Sequence, residues 1–144
     1  MNLSIVPYDE SKHYTELLKV WKAYGWIPCP PEDLPATGAV ATGPDGTFVA
    51  ALFMYVAESK IGFVEWAVSS RDVPREIREN AWKPLFESLM ENARSRGIKF
   101  LYAVTKVPRF RQILEGCGMT LAEEHAASLV MSVNDSDPGY LKDY

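Results

Sequence analysis

The 144-residue chain has little of several things, and each shortage removes a class of function. Its two cysteines, Cys29 and Cys117, are too few for a disulfide framework and lack the Cys-x-x-Cys or Cys/His spacing that zinc requires, so they read as buried thiols. The two histidines, His13 and His125, stand far apart, and both read as surface or helix-end residues; no metal site is expected. No run approaches the roughly eighteen apolar residues of a membrane span, and the N-terminus lacks a basic region followed by an apolar stretch. These absences predict a soluble cytoplasmic protein with no membrane partner. A net charge of −4 argues against a general polyanion binder, so nucleic acid is not the expected partner. There is no internal repeat or low-complexity segment. Finally, no glycine occurs between Gly62 and Gly97.

What is present is ordinary for a globular protein: 47% hydrophobic and 24% charged residues, enough to bury about two thirds of the unfolded surface without a staple. The stretch from Phe63 to Gly97 organises the rest. Phe63-Val64-Glu65-Trp66-Ala67-Val68 reads as a strand and Ser69-Ser70-Arg71-Asp72-Val73-Pro74 opens a turn. A helix then carries Ile77, Ala81, Leu85, Leu89, Met90 and Ala93 at three- and four-residue spacings. The cationic Arg94-Ser95-Arg96 before Gly97 is a favourable helix end. Phe100 to Val104 is a second strand, which makes a βαβ unit with parallel strands. Pro84 lies inside the helical pattern, so the helix either kinks there or begins near Lys83.

Upstream, Leu3 to Val6 is a strand, and Asp9 to Lys12 can cap a helix starting near His13 that Gly25 stops. Trp26 to Pro35, with prolines at 28, 30, 31 and 35, is a rigid loop with at most one helical turn. Gly38–Thr42 and Thr47–Val56 are strands joined by the hairpin turn Gly43-Pro44-Asp45-Gly46. Downstream, Pro108 to Gly116 is a short helix, Ala127 to Val133 a final strand, and 134–144 an acidic tail beyond a single domain spanning 1–133.

This order (strand, helix, proline loop, three antiparallel strands, long helix, strand, short helix, strand) resembles the GCN5-related N-acetyltransferase (GNAT) superfamily over nearly the whole chain. The resemblance implies an α/β fold whose mixed sheet is an antiparallel meander followed by a βαβ unit, with a splayed central strand pair. It implies transfer of an acetyl group from acetyl-CoA to a small-molecule or protein amine. Ala67, Val68 and Ser69 would pair with the pantetheine arm, and Arg75, Arg78 and the amides near Asn80 would hold the pyrophosphate. Glu65 would be the base. The family's loop, Gln/Arg-x-x-Gly-x-Gly/Ala, counted back from Gly97, falls on Ile77 to Trp82, where Asn80 and Trp82 replace glycines and the indole opposes a phosphate. The family's Asn and Tyr positions hold Val107 and Leu114, leaving Tyr102 as a proton donor only if its hydroxyl faces the cleft.

With the glycine loop and the tyrosine both gone, the chain also resembles GNAT-like proteins of tailed bacteriophages, among them an internal virion protein. The shared features are the serine-rich charged turn and Arg109-Phe110-Arg111-Gln112-Ile113-Leu114 leading into glycine. That resemblance implies an alternative, a catalytically inactive binding or phage structural component, found as a homodimer or in a virion. For individual residues two readings stay open. Glu65 is either a cleft carboxylate or a solvent-facing one opposite Trp66 by strict alternation. Arg71, Arg75 and Arg78 are either phosphate ligands or partners of Asp72, Glu76 and Glu79. Lys106, Arg109 and Arg111 are either a second anion-binding group or surface charge. Tyr24, Trp26, Tyr55 and Trp66 are either an acceptor pocket or core.

Overall fold

The structure, a computed structural model, describes residues 2–131 and 133. Five strands form one sheet in chain order: β1 (Ser4–Pro7), β2 (Gly38–Thr42), β3 (Phe48–Val56), β4 (Ile61–Ser69) and β5 (Phe100–Ala103). All neighbours are antiparallel except β4 and β5, which are parallel, as the βαβ reading requires. Three helices, α1 (Glu10–Tyr24), α2 (Arg75–Ser95) and α3 (Pro108–Gly116), complete the α/β fold.

Local chemistry accounts for most boundaries. Asp9 caps α1 by accepting from the Ser11 amide at 3.0 Å, so the helix starts at Glu10 instead of near His13. Gly25 closes it at φ 71°. The hairpin turn is held by the Asp45 carboxylate, which accepts from the Thr47 amide at 3.0 Å, and by Gly46 at φ 83°. The proline loop contains one short helical turn, Pro31–Asp33. Helix α2 runs through Pro84 from Arg75, which rules out a start near Lys83; only the carbonyl of Asn80 loses its helical partner.

Two hydrophobic layers sandwich the sheet. Leu52, Met54 and Val64 face Ala81, Leu85 and Leu89 of α2, while Val40, Ala51, Phe53 and Val68 face Leu17, Val20 and Trp21 of α1. Cys29 is sealed in the second layer and burial pushes its thiol up to about 12; Cys117 is only partly buried. Gly38 lies where backbone meets this layer: a Cβ there would stand 2.5 Å from Cδ1 of fully buried Phe53 and 3.1 Å from Cβ of Tyr8. Gly38→Ala is therefore expected to cost about 1–3 kcal/mol by overpacking, read as a lower urea midpoint. Gly62→Ala, whose Cβ meets the flexible ends of Leu101 and Met54, should lower it less.

The final strand expected over Ala127 to Val133 is not formed among its described residues, which are exposed. Apolar content alone does not make a strand; a ladder partner does. The expected tail, 134–144, lies outside the described residues. Among the described residues no helix is long and apolar enough to cross a membrane, and no three His, Cys, Asp or Glu side chains cluster as a metal site would need.

Candidate active site

The site begins where the sheet comes apart. Strands β4 and β5 pair from Ile61 with Phe100 to Val64 with Ala103 and no further, although β4 continues to Ser69. Into the gap opens a cavity of about 620 Å³, walled by β4 residues 64–69, by Ala103 to Thr105 and by the N-terminal turns of α2. The edge of β4 that faces the gap has no ladder partner there.

A bulge shapes that edge. Against β3, Val68 opposes Ala51 but Glu65 opposes Phe53, so β4 carries one extra residue between them. Trp66 absorbs it in the left-handed region at φ 55°, a conformation costing a non-glycine residue about 1–2 kcal/mol. Cross-strand packing holds it there. The Trp66 indole Nε1–H donates to the Tyr55 hydroxyl at 2.8 Å, and that hydroxyl donates to the carbonyl of Asp33 at 2.7 Å. The Trp66 ring meets Trp21 edge-on at 6.0 Å.

The bulge breaks the alternation on which a solvent-facing Glu65 depended. In register with Phe53, Glu65 lies on the α1 side together with Trp66, and both line the cavity. Glu65 is half-buried, and burial raises its carboxyl above the usual range. Among the described residues it has neither a hydrogen bond nor an ion pair.

The expected aromatic group divides. Tyr24 and Trp26 line the cavity, stacked at 4.4 Å with a 15° interplanar angle, and Trp66 lines it beside Glu65. Tyr55 lies outside the lining and acts on the cavity only by holding the Trp66 indole. Trp21 is buried in the α1 layer and also lines the cavity.

Three cationic side chains also line the cavity: Arg75, Arg78 and Arg109. The turn before α2 is Ser70 to Pro74, tightened by the Asp72 amide on the Ser70 hydroxyl, and α2 begins without a side-chain cap. Its first amides have no helical acceptor and point along the dipole's positive end. The phosphate loop expected over Ile77 to Trp82 is thus already helix. Asn80 is an exposed residue of the second turn, its amide spent within the helix and outside the cavity lining, so it is withdrawn as an anion ligand. Trp82 does not stand at the anion-facing turn either; it is buried in the cavity wall, edge-on to Phe110 at 5.3 Å. That removes the steric objection drawn from the sequence.

The arginines differ in how they are engaged. Glu79 accepts from Arg75 at 3.1 Å and from Arg109 through two bonds of 3.1 Å; the Arg109 pair, then Arg75, hold its carboxyl low. Glu79 and Arg109, thirty residues apart, meet only through the fold. Among the described residues Arg78 has no carboxylate partner. Its Nε is buried without a hydrogen bond and its Nη1 reaches the Tyr24 hydroxyl only at 3.5 Å. Arg71 lies over the Tyr24 ring at 4.1 Å and donates to the Ala23 carbonyl at 3.2 Å.

Tyr102 is not brought to the site. It pairs in register with Phe63 and stacks on it at 5.9 Å, 48% exposed and outside the cavity, because strand alternation aims it away from the wall that Ala103 supplies. Leu114 is buried core and Val107 an exposed helix cap.

No family model matches the chain, and no curated protein does. Solved structures do. An aminoglycoside acetyltransferase from an uncultured soil metagenomic sample, in complex with sisomicin, superposes with a TM-score of 0.70 at 14% identity, covering 91% of this chain and 96% of that one. The chain has the GNAT acetyltransferase fold. A ribosomal-protein-alanine N-acetyltransferase from Brucella melitensis biovar Abortus 2308 gives a TM-score of 0.62 at 18% identity over 90% of this chain and 100% of its own. N-acetylglutamate synthase from Neisseria gonorrhoeae, complexed with coenzyme A and N-acetyl-glutamate, gives 0.57 at 18% identity over 81% of this chain and 28% of its own. In GNAT terms, the parted β4 and β5 are the splayed pair, and the glycine-free turn before α2 is the main departure.

Proposed function

We propose that the chain transfers an acyl group from acyl-CoA to an amine. The observation that carries this reading is the cleft between parted β4 and β5, which ends on an uncapped helix start beside Arg78, whose buried Nε lacks a partner. A pantetheine arm is a chain of amides, and the β4 edge at Ala67, Val68 and Ser69, which has no strand neighbour on the β5 side among the described residues, suits it as a strand suits its neighbour; the Ser69 carbonyl already accepts from the Tyr24 hydroxyl at 3.1 Å. The pyrophosphate would take the first amides of α2, with Arg78 and Arg75 supplying by side-chain charge what a glycine loop supplies by backbone. Glu65, unpaired and raised, suits removal of the ammonium proton. The freed amine attacks the thioester carbonyl, the new C–N bond forms and the C–S bond breaks. The CoA sulfur leaves as thiolate and the amide nitrogen sheds its second proton to that thiolate or to solvent, so no side-chain donor at Leu114 or Tyr102 is required.

Two features favour the alternative, a GNAT-shaped binding protein without turnover: the glycine-free turn and the apolar Leu114. Calorimetric titration with acetyl-CoA decides between them. Binding is expected, and Arg78→Ala should weaken it about 10- to 100-fold, the worth of one charge-assisted contact. No heat at millimolar acetyl-CoA would sink the transferase reading and leave the binding-protein one.

A further inference from the structure

Resting on the acyl-transfer reading, the aromatic end of the cavity also specifies the acceptor. Tyr24 is covered twice, by the Trp26 ring at 4.4 Å and by the Arg71 guanidinium at 4.1 Å, and two groups so near one centroid must take opposite faces. The stack fixes Trp26 before any ligand arrives, yet leaves it 50% exposed at the cavity mouth. A pre-ordered indole with an open face favours a flat ring, since little side-chain entropy remains to be lost on binding. In the lining of the same cavity, Glu65 is a half-buried carboxylate with no hydrogen bond or ion pair among the described residues, a setting relieved by a cation. Much of the remaining lining, Trp21, Ile27 and Val68 included, is apolar and suits an aromatic body better than a polyhydroxylated one.

We infer that the acceptor is an arylalkylamine: a primary amine on a short aliphatic spacer, its ring stacked on Trp26 and its ammonium against Glu65. The proposal is tested on the full chain by calorimetry with 2-phenylethylamine, putrescine and glucosamine, without acetyl-CoA. Phenylethylamine should bind at least about tenfold more tightly than either ringless amine. Trp26→Ala should weaken phenylethylamine by about tenfold, while Trp26→Phe, which keeps a stacking face, should stay within about threefold of the parent. Comparable affinity for all three amines, no change on Trp26→Ala, or no phenylethylamine binding at millimolar concentration overturns it. A separate acetyl-CoA titration keeps the two ideas apart. If phenylethylamine binds and acetyl-CoA does not, the amine site stands and acyl transfer falls; the reverse leaves acyl transfer and removes the arylalkylamine.

Discussion

Glu65→Gln is expected to lower acetyl transfer to an amine by about 100-fold or more, the usual contribution of a positioned general base, while acetyl-CoA affinity stays within a few-fold of the parent. The asymmetry follows from geometry. Glu65 stands on β4, on the α1 side of the sheet, whereas the arginines that suit the phosphates are carried by α2 and α3. Glutamine keeps the shape and removes the proton acceptor. Unchanged turnover at saturating substrates would take Glu65 out of the chemistry.

The same substitution has a stability signature of definite sign. Burial raises the Glu65 carboxyl in the folded state, so the unfolded chain releases this proton at lower pH than the folded one. Protonated Glu65 is the form the fold prefers; its contribution is fully present below the unfolded pKa and is lost as pH rises through the raised folded value. Glu65→Gln, fixed in the neutral form, should therefore melt above the parent at neutral pH, with the difference closing in acid. A parent that melts higher than the variant at neutral pH would mean Glu65 has a stabilising partner after all.

How much of this was legible in the chain depends on the range over which each feature is decided. The hairpin at Gly43 to Gly46, the Gly25 stop, the βαβ unit and the left-handed Gly97 after α2 are decided within a few residues and were readable. The bulge was not. Nothing in Phe63-Val64-Glu65-Trp66-Ala67-Val68 announces an extra residue; it is imposed by Trp21 and Tyr55, which arrive from other elements and hold Trp66 in a conformation it would not choose. Once the bulge is missed, the face of Glu65 stays undecided. The turn counted back from Gly97 at the family's helix length falls on Ile77 to Trp82, inside α2, because this helix is longer: packing of Ala81, Trp82 and Leu85 carries it through Pro84 back to Arg75. The Glu79 to Arg109 pair and the outward turn of Tyr102 were likewise settled by tertiary partners.

Trp21→Ala is expected to be the most damaging single change on the α1 side, costing about 3–5 kcal/mol of the roughly 5–15 kcal/mol a domain of this kind has. Trp21 is 1% exposed, meets Tyr14 at 6.2 Å and Trp66 at 6.0 Å, and its loss leaves a cavity bounded by the sheet that α1 can only partly fill. The effect should reach beyond stability. Trp66 pays about 1–2 kcal/mol for its left-handed backbone, and loss of the Trp21 edge removes one of the contacts that restrain that strain. Relaxation of the bulge moves Glu65 relative to the cavity. Leu85→Ala, at a fully buried position of the other layer, supplies the control, since it costs about 2–5 kcal/mol without touching the bulge. At temperatures where both variants are folded, Trp21→Ala should lose phenylethylamine binding and Leu85→Ala should keep it. Equal loss in both would mean that amine binding follows overall stability and that the bulge has no particular hold on Glu65.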